Sequence, residues 1–187
     1  MYGEFPLENP NYGKIINKKH YERILGLIDD KKIVHGGKSN PETLQIEPTV
    51  LDFVTPEDAV MQEEIFGPIM PIISYDTLSD ALSIIKDRPH PLAFYVFTSD
   101  KKTAKFLIDN IGFGGGCIND VVVHLATSEM GFGGFGESGM GSYHGKEGFR
   151  TFSHYKSIMD KKTWIDLPMR YQKYTEFNHK LIKFFLK

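Results

Sequence analysis

One stretch of the chain, residues 69–126, decides its fold: "IMPIISYDTLSDALSIIKDRPHPLAFYVFTSDKKTAKFLIDNIGFGGGCINDVVVHLA". Apolar runs typical of strands alternate here with amphipathic segments typical of helices. In chain order these segments are 69–75, 76–89, 91–99, 99–112 and 116–126. Strand, helix, strand, helix, strand in this order predicts right-handed crossovers and a parallel sheet, so the predicted fold class is α/β.

The two helices of this stretch carry apolar faces and recognisable end signals. The faces are formed by Leu78, Ala81, Leu82 and Ile85, and by Ala104, Leu107, Ile108 and Ile111. Thr77 and Asp80 have the spacing of a capping box at the start of the first helix. Gly112 is the predicted C-cap of the second helix.

The flanking segments are less regular. Residues 17–30 predict a helix whose apolar face holds Tyr21, Ile24, Leu25 and Ile28. Short strands are predicted at 31–37 and near 49–53. After Gly145 the pattern weakens. The last segments are predicted as a strand or extended arm at 149–159, a loop at 166–177 and a short amphipathic basic helix at 179–187, too short to cross a membrane.

Composition narrows the class of protein. Hydrophobic residues make up 41% and charged residues 25% of the 187, as in soluble globular proteins. The net charge of −2 gives no reason to expect nucleic acid or an anionic membrane as a partner. A single cysteine excludes an internal disulfide and predicts a reducing, cytoplasmic location. The start of the chain has no apolar signal region and is loop-like, as expected of a chain that begins within a larger unit.

A glycine-rich stretch, "MGFGGFGESGMGS" at residues 130–142, contains the pattern G-x-G-x-x-G twice. A dinucleotide-binding fingerprint needs a strand directly before the glycines and an amphipathic helix opening at them. The preceding strand is predicted to end near Ala126, and the residues after the glycines lack helical periodicity. The stretch therefore predicts a tight loop with close backbone approach.

The remaining candidate chemistry is sparse. Cys117 and His124 could form a nucleophile pair, but strand alternation places residues an odd number apart on opposite faces. We therefore expect Cys117 to be a small residue at the start of a buried strand. The seven histidines show no metal-ligand spacing. Glu63 and Glu64 are adjacent, so their side chains diverge instead of forming an acid–base pair.

Four motifs carry a family resemblance. They are "MQEEIFGPIMPI" (61–72), "PLAFYVFTSD" (91–100), "GGGCINDVVVH" (114–124) and "FGGFGESGMGSYHGKEGFRTFSH" (132–154). In this order and spacing they resemble the C-terminal part of the aldehyde dehydrogenase superfamily, in its class 3 or fatty-aldehyde-type branch. The resemblance implies part of a three-layer, parallel-sheet catalytic domain at residues 1–145. It also implies an oligomerisation arm and tail at 146–187.

The resemblance assigns expected roles to individual residues. Glu64 matches the glutamate that holds ribose hydroxyls on the nicotinamide side of the cofactor, and Phe66 matches the phenylalanine beside the nicotinamide ring. His20 and Arg23 match helix positions that approach the cofactor, although each could also be a solvated helix residue. The cofactor is NAD or NADP in the complete enzyme.

The aldehyde pocket has its own expected wall. Val122, Leu125 and Ala126 match the strand and loop that line it, and Phe132 resembles the aromatic residue that closes it. The family usually has proline where this chain has Gly131, so the loop before Phe132 has less backbone rigidity. The glycine stretch then matches the loop behind the pocket, while the family binds its dinucleotide elsewhere.

No residue of this chain matches the family's catalytic groups. The thiol nucleophile, general-base glutamate, oxyanion-stabilising asparagine and Rossmann-type domain all precede the Glu64 motif, whereas Cys117 lies 53 residues after Glu64. The chain alone is therefore expected to be inactive, with a homo-oligomer or the N-terminal half as its partner and an aldehyde as the complete enzyme's substrate. The alternatives are a non-catalytic self-associating module and an independent mononucleotide-binding fold, for which no phosphate loop is visible.

Overall fold

The elements within residues 69–126 follow the predicted order of strand, helix, strand, helix and strand. The computed structural model describes residues 2–171 and 175–185. The α-helices are α1 (Lys18–Leu25), α2 (Leu78–Lys86), α3 (Lys101–Asn110), α4 (Gly145–Thr151) and α5 (Glu176–Phe185). The strands are β1 (Ile33–His35), β2 (Ser39–Asn40), β3 (Gln45–Ile46), β4 (Thr49–Leu51), β5 (Ile69–Pro71), β6 (Ala93–Val96) and β7 (Gly115–Ile118).

Helix α1 anchors the main hydrophobic core. Its N-cap is Asn17, whose side-chain oxygen accepts a hydrogen bond from the His20 amide at 2.9 Å. The predicted apolar face is confirmed, because Tyr21 and Ile24 are 4% and 0% exposed. Around them lie the other buried members of the core, which are Ile46, Leu51, Val54, Val60 and Ile69. The core therefore joins α1 to β3, β4 and β5.

The strands form mixed sheets, and the α/β class is confirmed. Strand β4 pairs with β1 antiparallel and with β5 parallel, while β2 and β3 form an antiparallel pair. The predicted β6–α3–β7 unit is a parallel pair running from Ala93 opposite Gly115 to Val96 opposite Ile118. The three strands of residues 69–126 were expected in one parallel sheet, but β5 pairs with β4, and β6 and β7 form a separate pair. An apolar run indicates that a strand is buried and does not identify its partner.

The helix signals were mostly correct. Thr77 and Asp80 form the predicted capping box, with the Thr77 amide donating to the Asp80 carboxylate at 2.9 Å. The prediction for Gly112 was wrong. Helix α3 ends at Asn110, and its C-cap is Ile111, whose backbone is extended and whose amide donates to the Leu107 carbonyl at 3.1 Å. Gly112 instead lies where a Cβ would come within 3.0 Å of both His90 and Phe135.

The third predicted strand is shorter than expected. It ends at Ile118, and the chain then turns through Asn119 and Val122, whose φ angles are +57° and +66°. A 3₁₀ helix, Val123–Leu125, follows. The three valines at 121–123 are exposed, so their β-branched, apolar character misled the prediction of a buried strand.

The region after the glycine stretch also differs from expectation. Residues 145–151 form α4, a seven-residue helix, and the backbone from 153 to 162 has no regular structure. A helix does therefore follow the glycines, so this requirement of a dinucleotide fingerprint is met in the structure although the sequence predicted no helix here. The other requirement still fails, because β7 ends at Ile118 and no strand directly precedes Gly131.

The C-terminal helix is confirmed as α5, although residues 172–174, 186 and 187 of the predicted loop and helix lie outside the described residues. Across residues 2–171 and 175–185, no helix has the length and apolar character needed to cross a membrane.

The segment between β4 and β5, which leads into the Glu64 motif, is fixed by hydrogen bonds from Lys32 and Arg88. The Lys32 ammonium donates to the Asp58 carboxylate at 2.5 Å, and the Thr55 amide donates to the same oxygen at 2.6 Å. These two hydrogen bonds, with the Lys32 bond the larger cause, hold the pKa of Asp58 below its usual value. The Arg88 guanidinium donates to the carbonyls of Pro56, at 2.5 Å, and Met61.

Ile24→Ala is expected to destabilise the fold by about 2–5 kcal/mol, because it leaves a cavity in a fully buried site. Ile16→Ala is the matched control, since Ile16 is 84% exposed and should change stability by less than about 0.5 kcal/mol. Urea unfolding followed by circular dichroism measures both. Equal midpoints for the two variants would contradict the position assigned to Ile24.

Candidate functional site

The backbone of residues 63–66 is fixed by one arginine of α1. The Arg23 guanidinium donates to the Ile65 carbonyl at 2.7 Å and to the Glu64 carbonyl at 3.4 Å. It also forms an ion pair with the Glu63 carboxylate at 2.8 Å. The Arg23 side chain is 24% exposed, so these bonds are partly shielded from water. Arg23 therefore fixes the segment and the direction of its side chains.

Gly67 brings the same segment close to the core. A Cβ at this position would lie 2.8 Å from the Cδ1 atom of Ile24, which is too close for any other residue without repacking. The preceding residue, Phe66, has a φ of +47°, which is a strained conformation for a non-glycine residue, and its side chain is 79% exposed. The tight approach at Gly67 and the strained turn together project the Phe66 ring outward.

These residues share one cavity with α1. It has a volume of about 510 Å³ and is lined by Lys14, Ile15, Ile16, His20, Arg23, Glu63, Glu64 and Phe66. All four residues predicted to contact a cofactor are in this lining. The Glu64 carboxylate has no hydrogen-bond or ion-pair partner within the described part of the chain. A free carboxylate beside an exposed aromatic ring suits a ligand that carries hydroxyl groups and a flat ring.

A second surface surrounds Phe132. Phe132 and Tyr143 are joined by a two-bond backbone bridge, with N–O distances of 2.9 and 3.0 Å. The Phe132 ring stacks on His144 with a centroid separation of 5.9 Å and contacts the His124 ring at 5.8 Å. A cavity of about 550 Å³ opens on this side between Leu92, Phe132 and Phe152. Phe132 thus belongs to an aromatic cluster held by the glycine-rich loop.

The other predicted pocket residues do not line the Phe132 cavity. Val122 and Leu125 are 52% and 36% exposed, and Ala126 is also exposed on the same turn after β7. The 3₁₀ helix that contains Leu125 also carries His124, which touches Phe132. The structure therefore places these residues next to the Phe132 cluster without closing a common pocket around them.

A third and larger cavity, of about 810 Å³, lies between the two surfaces and was missed by the sequence analysis. It is lined by residues 61–64, residues 88–93, Glu137 and Ser138. Arg88 and His90 enter it from the turn between α2 and β6, where the sequence "RPHP" indicated only a proline-rich connection. No spacing rule links Arg88 to Glu137, so only the folded chain brings them together.

The expected separation of Cys117 and His124 was wrong. The Cys117 sulfur lies 3.7 Å from His124 Nδ1. Strand alternation does not apply, because β7 ends at Ile118 and the reversal through Asn119 and Val122 brings His124 back over the strand. Cys117 is half-buried, as a small residue in a strand, but it has a specific neighbour.

Comparisons with known proteins agree with this architecture. The model of the aldehyde dehydrogenase family matches residues 3–158. A 4,4'-diaponeurosporen-aldehyde dehydrogenase of Staphylococcus aureus is 45% identical over 100% of this chain and 41% of its own length. A dimeric NADP-preferring aldehyde dehydrogenase of Rattus norvegicus is 47% identical over 86% of this chain and 36% of its own length.

Solved structures give the same result. The substrate-bound state of Staphylococcus aureus AldH matches with a TM-score of 0.89 and 45% identity, over 100% of this chain and 41% of that one. A Mycobacterium tuberculosis aldehyde dehydrogenase complexed with NAD+ matches with a TM-score of 0.74 and 31% identity, over 86% of this chain and 34% of that one. The chain thus spans about two fifths of the length of these two Staphylococcus aureus relatives.

Arg23→Ala is expected to loosen residues 63–66 and to cost about 1–2 kcal/mol, because two carbonyls and one carboxylate lose a charged donor. Limited proteolysis within residues 62–67 should speed up, while hydrogen exchange in the core strand β4 changes little. Lys19→Ala, at an exposed position of the same helix, is the control. Unchanged proteolysis of this segment in Arg23→Ala would show that the guanidinium does not hold it.

Proposed function

The chain belongs to the aldehyde dehydrogenase family, and from this premise we propose that it is the C-terminal portion of an NAD(P)-dependent enzyme that oxidises an aldehyde to a carboxylic acid. The observation that carries the proposal is the cavity in which His20, Arg23, Glu64 and Phe66 meet. The cavity combines a free carboxylate, an exposed aromatic ring and a cation, which are the groups that a nicotinamide ribose and ring require.

Each residue of the cavity has a distinct task in this proposal. The Glu64 carboxylate accepts hydrogen bonds from ribose hydroxyls, and it is available because no described residue occupies it. The Phe66 ring packs beside the nicotinamide. Arg23 acts mainly through the backbone of 63–66, and His20 stands at the rim. Bound NAD(P) supplies the hydride acceptor for aldehyde oxidation.

We assign the second surface to the aldehyde. Val122, Leu125 and Ala126 would supply an apolar wall on the turn after β7, and Phe132, which packs against Tyr143 and His144, would face the aldehyde from the neighbouring aromatic cluster. Val122, Leu125 and Ala126 are exposed and Phe132 is only half-buried in this chain, so the pocket would be completed by polypeptide that carries the nucleophile. Residues 1–145 would then be catalytic-domain sequence and 146–187 an oligomerisation arm and tail.

A second, non-catalytic role is favoured by the surface of residues 152–164. The exposed fractions are 91% for Phe152, 81% for Ile158, 92% for Met159 and 79% for Trp164. Apolar side chains clustered on an irregular segment mark an association surface. In this alternative the chain pairs with another copy or with a complete subunit and has no reaction of its own.

The proposed activity can be tested in a chimera that joins this chain to the N-terminal portion of the Staphylococcus aureus relative. We expect the chimera to reduce NAD or NADP in the presence of an aldehyde. Glu64→Gln should raise its KM for the cofactor about tenfold, the effect of losing a charged hydrogen bond. Glu57→Gln, at an exposed carboxylate of the same region, should leave KM unchanged.

Two results would overturn the proposal. One is an active chimera in which Glu64→Gln and Glu57→Gln have the same KM for the cofactor. The other is saturable cofactor reduction by the isolated chain, which should give none because Cys117 stands 53 residues beyond Glu64 and far from the matched nucleophile position. Absorbance at the reduced-cofactor band measures both.

The association surface predicts that the isolated chain self-associates. Phe152→Ser combined with Met159→Ser should shift the chain toward monomer, because two large apolar side chains are removed from the surface. His154→Ser combined with Lys156→Ser changes exposed polar residues of the same segment and should have no effect. Size-exclusion chromatography with light scattering distinguishes the two pairs, and a monodisperse monomer in the unmodified chain would contradict the prediction.

A further inference from the structure

Cys117 and His124 form a pair that the proposed function does not use. The sulfur lies 3.7 Å from His124 Nδ1 on the turn side of β7. The imidazole is only 7% exposed and packs between the rings of Tyr95 and Phe132, with centroid separations of 5.7 and 5.8 Å. Gly115 leaves space for it, because a Cβ there would lie 3.0 Å from His124 Cδ2.

The second ring nitrogen of His124, Nε2, indicates which atom donates in the hydrogen bond between His124 and Cys117. Nε2 of His124 is buried and has no hydrogen-bond partner within residues 2–171 and 175–185. An orphaned buried N–H is rarer in proteins than an under-satisfied acceptor. The neutral ring is therefore assigned the tautomer with its proton on Nδ1 and the unpaired lone pair on Nε2. In that tautomer Nδ1–H points at the Cys117 sulfur and donates to it.

We propose that Cys117 and His124 form a thiol-modification site that reacts with small, uncharged carbon electrophiles. The Nδ1–H group donates to the sulfur, and this hydrogen bond strengthens as the sulfur becomes negatively charged during the reaction. The aromatic rings of Tyr95 and Phe132 beside the imidazole favour an uncharged reagent. This reactivity is independent of aldehyde oxidation, since it needs only residues of this chain.

The reaction with iodoacetamide shows the chemistry in full. The Cys117 thiol gives its proton to solvent, and an electron pair of the thiolate sulfur attacks the methylene carbon of the reagent. A sulfur–carbon bond forms, the carbon–iodine bond breaks and iodide leaves. His124 keeps its Nδ1 proton throughout and acts as a hydrogen-bond donor, so it is a positioning residue.

Cys117 is the only cysteine, so the alkylation rate measured by intact-mass spectrometry reports this site alone. His124→Phe keeps a ring but removes the donor, and should slow alkylation by about tenfold, as expected for one hydrogen bond to a charged group. In His124→Asn the amide nitrogen occupies nearly the position of Nδ1, so the rate should stay within about threefold of the unmodified chain. Cys117→Ser should not react.

A second measurement uses only the unmodified chain, so it does not require any variant to fold. The native chain should be alkylated faster than the same chain unfolded in urea at the same pH, because only the native chain has the donor beside the sulfur. Slower alkylation of the native chain would overturn the proposal. The proposal would also be overturned if His124→Phe and the unmodified chain were alkylated at equal rates. It would likewise be overturned if His124→Asn were alkylated as slowly as a folded His124→Phe.

Discussion

The close contact between Gly67 and Ile24 is the constraint on which the candidate cofactor surface depends. Ile24 is fully buried in the core, and a Cβ at position 67 would lie 2.8 Å from its Cδ1 atom, so a residue with a side chain could take this position only with repacking. The same helix turn presents Arg23, which fastens the carbonyls of residues 64 and 65. One face of α1 therefore packs in the core, while the adjacent face, which carries Arg23, orients the site. Core packing and site geometry are coupled for this reason.

The chain presents two incomplete surfaces in place of one closed pocket. The surface at Glu64 and Phe66 has the groups to bind ribose hydroxyls and a flat ring, and the surface at Phe132 is apolar and aromatic. Between them lies the cavity bordered by Arg88, His90 and Glu137. Because the chain covers about two fifths of its relatives, the proposed chemistry depends on joining these surfaces to polypeptide that supplies the nucleophile.

Sequence patterns predicted local structure correctly wherever the interacting side chains lie within a few residues of one another. The capping box at Thr77 and Asp80 and the buried face of α1 follow from neighbouring side chains. Predictions failed where the cause lay further away. The run of valines at 121–123 has strand character but lies exposed on a turn. Gly112 packs beside His90 and Phe135 instead of capping α3. Strand β5 pairs with β4.

The amino-acid sequence by itself determined the α/β class, the order of helices and strands from β5 to β7, and the family resemblance that singled out Glu64 and Phe66. These depend on periodicity, local capping and motif spacing, which are properties of short segments. Only the tertiary structure decided that Arg23 holds the backbone of residues 63–66, that Arg88 and Glu137 border one cavity, and that His124 meets Cys117. Such contacts are set by where strands end and how turns reverse the chain, and their partners are chosen by packing rather than by spacing along the sequence.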